Sequence, residues 1–171
     1  MNTDKQEYLD IIDENDNVIG KLARDEVYAN LHPHRIVHVM VFNDQGQILL
    51  QKRSKYKESK PLHWVTSVSG HVMSGETVEH AALRETQEEI GIMPEIKFFS
   101  KNWYTSVHRN NIKKLLSIFE AKHNGPFKIN KKEVEEVKFF SLPDIYQMIK
   151  DGELMHPELL YILEKDFGIK F

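Results

Sequence analysis

Apolar positions along this chain change their period several times, and each change marks an element. Ile36–Phe42 is a nearly unbroken run of β-branched and apolar residues, which predicts a buried strand. Asn43-Asp44-Gln45-Gly46 predicts a turn and Ile48–Gln51 a returning strand, so the two runs are expected to form a hairpin. Tyr8–Leu22 reads as two short strands around Glu14-Asn15-Asp16-Asn17, with Ile11 and Ile12 opposite Val18 and Ile19. Trp64–Val68, Ile96–Tyr104, Ile112–Ala121 and Val137–Phe140 complete the strands, the middle two pairing across Arg109-Asn110-Asn111. Helical spacing predicts a turn or two over Asp25–Leu31 and longer helices over Thr77–Glu89, Leu142–Lys150 and Pro157–Phe167. Thr77 is a good N-cap and Gly91 a good stop for the best of these. Strands flank helices without alternating regularly with them. The expected fold class is therefore α/β, a mixed sheet covered by helices on both faces.

Composition narrows the chemistry. A length of 171 residues predicts one domain over 1–171, with residues 1–31 as an N-terminal hairpin extension. The formal net charge of -3 argues against a binder of nucleic acid polymers, which needs a basic surplus. No cysteine is present, so disulfides, thiolate nucleophiles and cysteine-ligated zinc are excluded. Met1–Leu9 is polar and no run approaches the roughly 20 apolar residues of a membrane span. A cytoplasmic chain without membrane contact is expected.

The chemistry is written on Thr77–Glu89. On a wheel of about 100° per residue, Glu85, Glu88 and Glu89 share a face with Val78, Ala81 and Ala82. Leu83 and Ile90 lie largely on the other side, so the helix is expected to be covered there as well. Acids on an otherwise apolar face are costly unless something positive neutralises them. Divalent magnesium or manganese, which prefer hard oxygen ligands, would do so. The plain alternative is a solvated acidic face, the usual fate of a charge run.

The wider spacing weighs against that alternative. Gly70 is followed after five residues by Glu76, after seven more by Arg84-Glu85, then by Glu88-Glu89 and Gly91-Ile92. This resembles the Nudix box over residues 70–92. All seven fixed letters match, a coincidence of about one in a million at ordinary residue frequencies. Thr86 stands where the family has an apolar residue, at a packing position. Gly70 and Gly75 are expected to let the backbone turn tightly before the helix. Arg84 is expected to point away from Glu85 and to pair with Glu76 or another acid, holding the loop to the helix; a direct catalytic part for Arg84 stays open.

The resemblance implies an α/β/α sandwich with a mixed β-sheet and hydrolysis of a small-molecule diphosphate, such as a nucleoside diphosphate derivative. It implies Mg²⁺ or Mn²⁺ held by Glu85, Glu88, Glu89 and the Gly70 carbonyl. It also implies a further acid late in the chain; Glu133, Glu135 and Glu136 are candidates, with Glu133 preferred. A homodimer is compatible with the resemblance alone.

Residues Ile11–Ile92 also resemble the isopentenyl-diphosphate isomerase-like branch of that superfamily. The carriers are DENDNVIGKLARDEV, His34-Arg35, Phe42-Asn43, QKRS, Lys57 and KPLHW leading to Ser69-Gly70-His71. By this resemblance Arg53 and Lys57 bind the substrate's diphosphate. Three departures speak against isomerase chemistry. Ser69 replaces the isomerases' cysteine, the strand at Ile112-Lys113-Lys114 lacks their acids, and the box is intact where theirs is usually degenerate. His34 and His71 match metal-binding histidines of the isomerases; without the acidic partners an ordinary hydrogen-bonded role is preferred. His32, His38, His63 and His80 are read as non-catalytic, and Trp64, Trp103 and Tyr104 as core. Three readings remain: hydrolase first, then an isomerase-like protein, then an idle nucleotide-binding module.

Overall fold

A computed structural model describes residues 6–170. The chain opens with the antiparallel hairpin β1 (Tyr8–Ile12) and β2 (Val18–Ala23), with Ile12 opposite Val18 and a bulge at Ile11/Ile12. Asp13 closes its turn by accepting the amides of Asn15 (2.9 Å) and Asn17 (2.8 Å). The short helix α1 (Arg24–Ala29) follows, and Leu9, Ile11 and Val27 form a small core of their own with Met73. The polar opening read over Met1–Leu9 lies partly outside the described residues.

The main sheet is built around β3 (His34–Phe42). It runs parallel to β8 (Ile112–Lys122), from His34 opposite Lys114 to Phe42 opposite Lys122. On its other edge it pairs antiparallel with β6 (Val68–His71), Val37 opposite Gly70. β7 (Ile96–Ser106) folds back on β8 as expected. β4 (Ile48–Arg53) pairs with β5 (Trp64–Val65) and β9 (Val134–Phe140).

Two expectations are corrected. β3 and β4 are antiparallel neighbours joined by the expected turn, with the Asn43 amide on Gln47 O. They pair only at Phe42 and Ile48, however, so the hairpin is short and its arms part. Trp64–Val68 is two strands, broken at the fully buried Thr66-Ser67. One hydroxyl explains both. Ser67 Oγ accepts the Val41 amide (2.7 Å) and donates to the Leu49 carbonyl (2.5 Å), plugging the gap where β3 and β4 part. That frees the edge of β3 for β6.

Alternation along β3 sorts the two cores. Val37, Val39 and Val41 face helix α2 (Val78–Ile90) with Ala81, Ala82, Ile90 and Phe119. Ile36 and Met40 face α3 (Leu142–Lys150) and α4 (Pro157–Phe167) with Ile145, Leu159, Ile162 and Leu163. The result is a mixed sheet between helical layers, an α/β/α sandwich. Each such fully buried aliphatic side chain stabilises by about 1.5–3 kcal/mol. Among the described residues no helix is long and apolar enough to cross a membrane.

Candidate active site

Helix α2 begins where the sequence puts it. Thr77 accepts the His80 amide (3.2 Å), and Gly91 ends the helix in the left-handed region at φ 72° with its amide on Gln87 O. Ala81 and Ala82 are fully buried, which brings the helix axis close to β6. Thr86 is fully buried too, its hydroxyl donating to Ala82 O at 2.7 Å, so the departure from an apolar residue is satisfied inside the helix.

The three acids are not equivalent. Glu89 is 6% exposed and accepts the Ser69 amide at 3.3 Å. With its amide nitrogen turned inward, Gln51 donates to Glu89 (3.1 Å) and to Ser67 O (2.9 Å). Burial, reinforced by the charge of Glu85, pushes the Glu89 carboxyl up to about 8. Burial likewise pushes Glu85 up to about 7, against the pull of Arg84. Glu88 is exposed and faces Arg84, so the shared acidic face turns out to water there.

Gly70 is corrected in its role. It lies inside strand β6 without a positive φ, so no turn requires it; Gly75 (φ 79°) serves the turn. What requires glycine at position 70 is the approach of Glu85, because a Cβ would stand 2.1 Å from the Glu85 carboxyl carbon. The glycine makes room for the acid.

Arg84 is also corrected. Its Nε and Nη2 hold both Glu76 oxygens at 2.9 Å, as expected, and Nη2 also donates to His71 O at 3.0 Å. Yet Nη1 reaches back to Glu85 (2.7 Å) and Glu88 (3.4 Å). A flexible side chain overrides the wheel position of its Cα. Glu76 further accepts the Met73 amide (3.0 Å) and lies 2.6 Å from His80 Nδ1. The N-terminal hairpin braces the same loop through Asp10, which accepts the Gly75 amide, and through Tyr8 O.

The remaining predicted residues converge on the Glu89 side. Lys57 is ion-paired with Glu133, and the Ser54 amide donates to Glu133 O. Both charges are felt at Glu89. Glu136 pairs instead with Lys52 at 3.5 Å, and Lys131 Nζ holds Glu135 only by its carbonyl. Arg53 donates to Ser59 O (3.1 Å); burial lowers its pKa while Glu89, Glu158 and Glu133 raise it, so it stands between two acidic groups.

The chain is a Nudix protein by direct comparison: the NUDIX domain family model matches residues 32–161. The chain belongs to the Nudix family. An uncharacterized Nudix hydrolase of Listeria monocytogenes is 31% identical over 165 residues, covering 96% of this chain and 95% of that one. Isopentenyl-diphosphate Delta-isomerase 1 of Photorhabdus laumondii is 28% identical over 148 residues, 84% of each chain. The crystal structure of DR0079 from Deinococcus radiodurans superposes with a TM-score of 0.82 at 23% identity, covering 94% of this chain and 99% of that one. Kinship with Nudix hydrolases makes this chain a hydrolase of the family.

The candidate ligands Glu85, Glu88, Glu89 and the Gly70 carbonyl are hard oxygen donors, a set suited to Mg²⁺ or Mn²⁺. The carboxyls of Glu85 and Glu89 stay raised even with Arg84 on Glu85 and the charge of Lys57 felt at Glu89, so the further positive charge of a divalent ion would suit the residues present. Among the described residues no three His, Cys, Asp or Glu side chains are yet gathered to ligate one ion. Glu88, exposed, stands 3.4 Å from Arg84 Nη1.

A second polar cluster escaped the sequence reading. Lys114 and Glu158, 6% and 5% exposed, are bonded at 2.7 Å, and His38 Nε2 lies 3.2 Å from the same carboxylate. His34 stacks on His71 (5.6 Å between centroids), and Tyr28 OH bonds His71 Nε2 at 2.8 Å. Burial lowers His34 to about 4 and lowers His71 well below its ordinary value. Trp64 is core as expected, whereas Tyr104 lines a cleft.

Proposed function

We propose that this Nudix hydrolase is a Mg²⁺- or Mn²⁺-dependent, cytoplasmic diphosphatase of a nucleoside diphosphate derivative or related small molecule, built as one domain over 1–171. The observation that carries this is the pair Glu85, half-buried against Gly70, and Glu89, buried on the Ser69 amide, with both carboxyls raised. Raised, clustered acids at one place are a functional signature.

Held by Glu85, Glu88, Glu89 and the Gly70 carbonyl, the divalent ion would draw charge from the phosphoryl oxygens and lower the pKa of water. Arg84 is a positioning residue: through Glu76 and His71 O it ties the box loop to α2 and aims Glu85. Arg53 and Lys57 hold the diphosphate oxygens, guanidinium and ammonium matching their charge. As Lys57 turns to the substrate it releases Glu133, whose freed carboxylate accepts the water proton. His34 and His71 stay outside the metal site, because Lys114 brings its own cation beside them.

The test is release of phosphate or monophosphate from a panel of nucleoside diphosphate derivatives and prenyl diphosphates with Mg²⁺ or Mn²⁺. Glu89→Gln and Glu85→Gln should lower kcat by about 10³-fold, roughly 4 kcal/mol of transition-state stabilisation. Unchanged turnover in both variants contradicts the reading. Tight binding with no turnover in the wild type indicates a sensor, and allylic isomerisation without hydrolysis an isomerase.

A further inference from the structure

On the far side of Arg53 from the Nudix helix lies a cleft of about 410 Å³. It is large enough for a small-molecule moiety, for which about 300–1,000 Å³ is usual. Arg53 links the two spaces: its Nε bonds Ser59 O, Ser59 lines the cleft, and its charge is felt by Glu89 and by Glu158.

The lining carries more cations than acids: Lys60, Arg109 and Lys114 against Glu58 and the buried Glu158, with Tyr104 and His156 beside them. Glu158 is spent on Lys114 and His38. Among the described residues Arg109 and Lys60 have no carboxylate partner within ion-pair distance. Arg109 rides at the tip of the β7–β8 hairpin, its guanidinium held 4.9 Å from the centre of the Tyr28 ring. The left-handed Asn110 and Asn111 turn that tip over the cleft. Arg109 and Lys60, which outnumber the one exposed acid Glu58, make a poor seat for hydrocarbon, because covering them without hydrogen bonds is costly. They make a good seat for an anion able to take Arg109's forked donors.

We propose that this cleft is a subsite for a phosphoryl group carried on the part of the substrate that is not cleaved, with Arg109 and Lys60 as its specificity-determining cations. The proposal rests on the diphosphatase reading for where the scissile linkage lies, but its first test needs no turnover. The imidazole signals of His108 and His156, which line the cleft, are followed by NMR while inorganic phosphate is added. Saturable shifts at millimolar phosphate are expected. The affinity should fall about tenfold in Arg109→Ala and by less in Arg109→Lys, which keeps the charge but loses the fork. No saturable shift, or equal affinity in Arg109→Ala with its thermal midpoint unchanged, overturns the subsite. A second arm compares two diphosphates that differ only by a distal phosphate. Arg109→Ala should raise KM about tenfold for the phosphorylated member alone; an equal rise for both overturns the proposal. If neither is hydrolysed by the wild type, the diphosphatase reading fails and the phosphate titration still decides the subsite.

Discussion

Two buried polar clusters lie on either side of Arg53, and they handle charge in opposite ways. At the Nudix helix, Glu85 and Glu89 are like charges whose carboxyls are raised to about 7 and about 8. In the cleft, Glu158 is held well below the usual carboxylate range by Lys114 and His38 despite its burial. Both sites pay for desolvation. Arg84 and Lys57 offset it only in part at the first, whereas Lys114 and His38 outweigh it at the second. The difference separates two acids whose charge the fold leaves under-compensated from one whose charge it balances, and each can be perturbed separately.

The largest expected effect is on the balanced cluster. Lys114→Met leaves Glu158 buried with only His38 beside it, which should destabilise by up to about 3–5 kcal/mol in urea unfolding. Replacing both members, Lys114→Met with Glu158→Leu, should recover most of that loss.

Next comes pH, where the two clusters oppose each other. His34 is depressed from 6.5 to about 4, so the unfolded chain binds its proton first. Its contribution is present above pH 6.5 and is lost as pH falls towards 4. Glu89 is raised from 4.5 to about 8, so the folded chain binds its proton first, and stability is lost as pH rises from 4.5 to 8. Each group contributes a slope of up to about 1.4 kcal/mol per pH unit, of opposite sign. Relative to wild type, His34→Gln should gain on acidification below pH 6.5, and Glu89→Gln should gain on going from pH 5 to 8. Parallel curves for wild type and Glu89→Gln would show that Glu89 is not raised.

The smallest effect sharpens the same contrast. Millimolar Mg²⁺ should raise the thermal midpoint by a few degrees, about 1 kcal/mol, at pH 8 and by less at pH 6, where the two acids keep their protons. Glu89→Gln should abolish the shift and His34→Gln should keep it.

Local signals carried most of the site into view. Thr77, Gly91 and the helical spacing place α2, because caps and periodicity act within a few residues. The Nudix spacing likewise points at Glu85, Glu89, Gly70 and the Arg84–Glu76 pair. What stayed hidden depends on tertiary contact. Ser67 separates β3 from β4 through bonds to Val41 and Leu49. Arg84 reaches Glu85 because its side chain is long, and Gly70 serves a side chain fifteen residues away instead of a turn. Lys114 and Glu158 meet across 44 residues, and no spacing rule brings such partners together. Lys114, read first as a missing acid, is a paired cation on the cleft floor.

Calorimetric titration of Mn²⁺ at pH 8 probes the central claim most directly. The account predicts saturable binding to the wild type, unchanged in His34→Gln and at least about tenfold weaker in Glu89→Gln. Binding as tight in Glu89→Gln as in the wild type would contradict it.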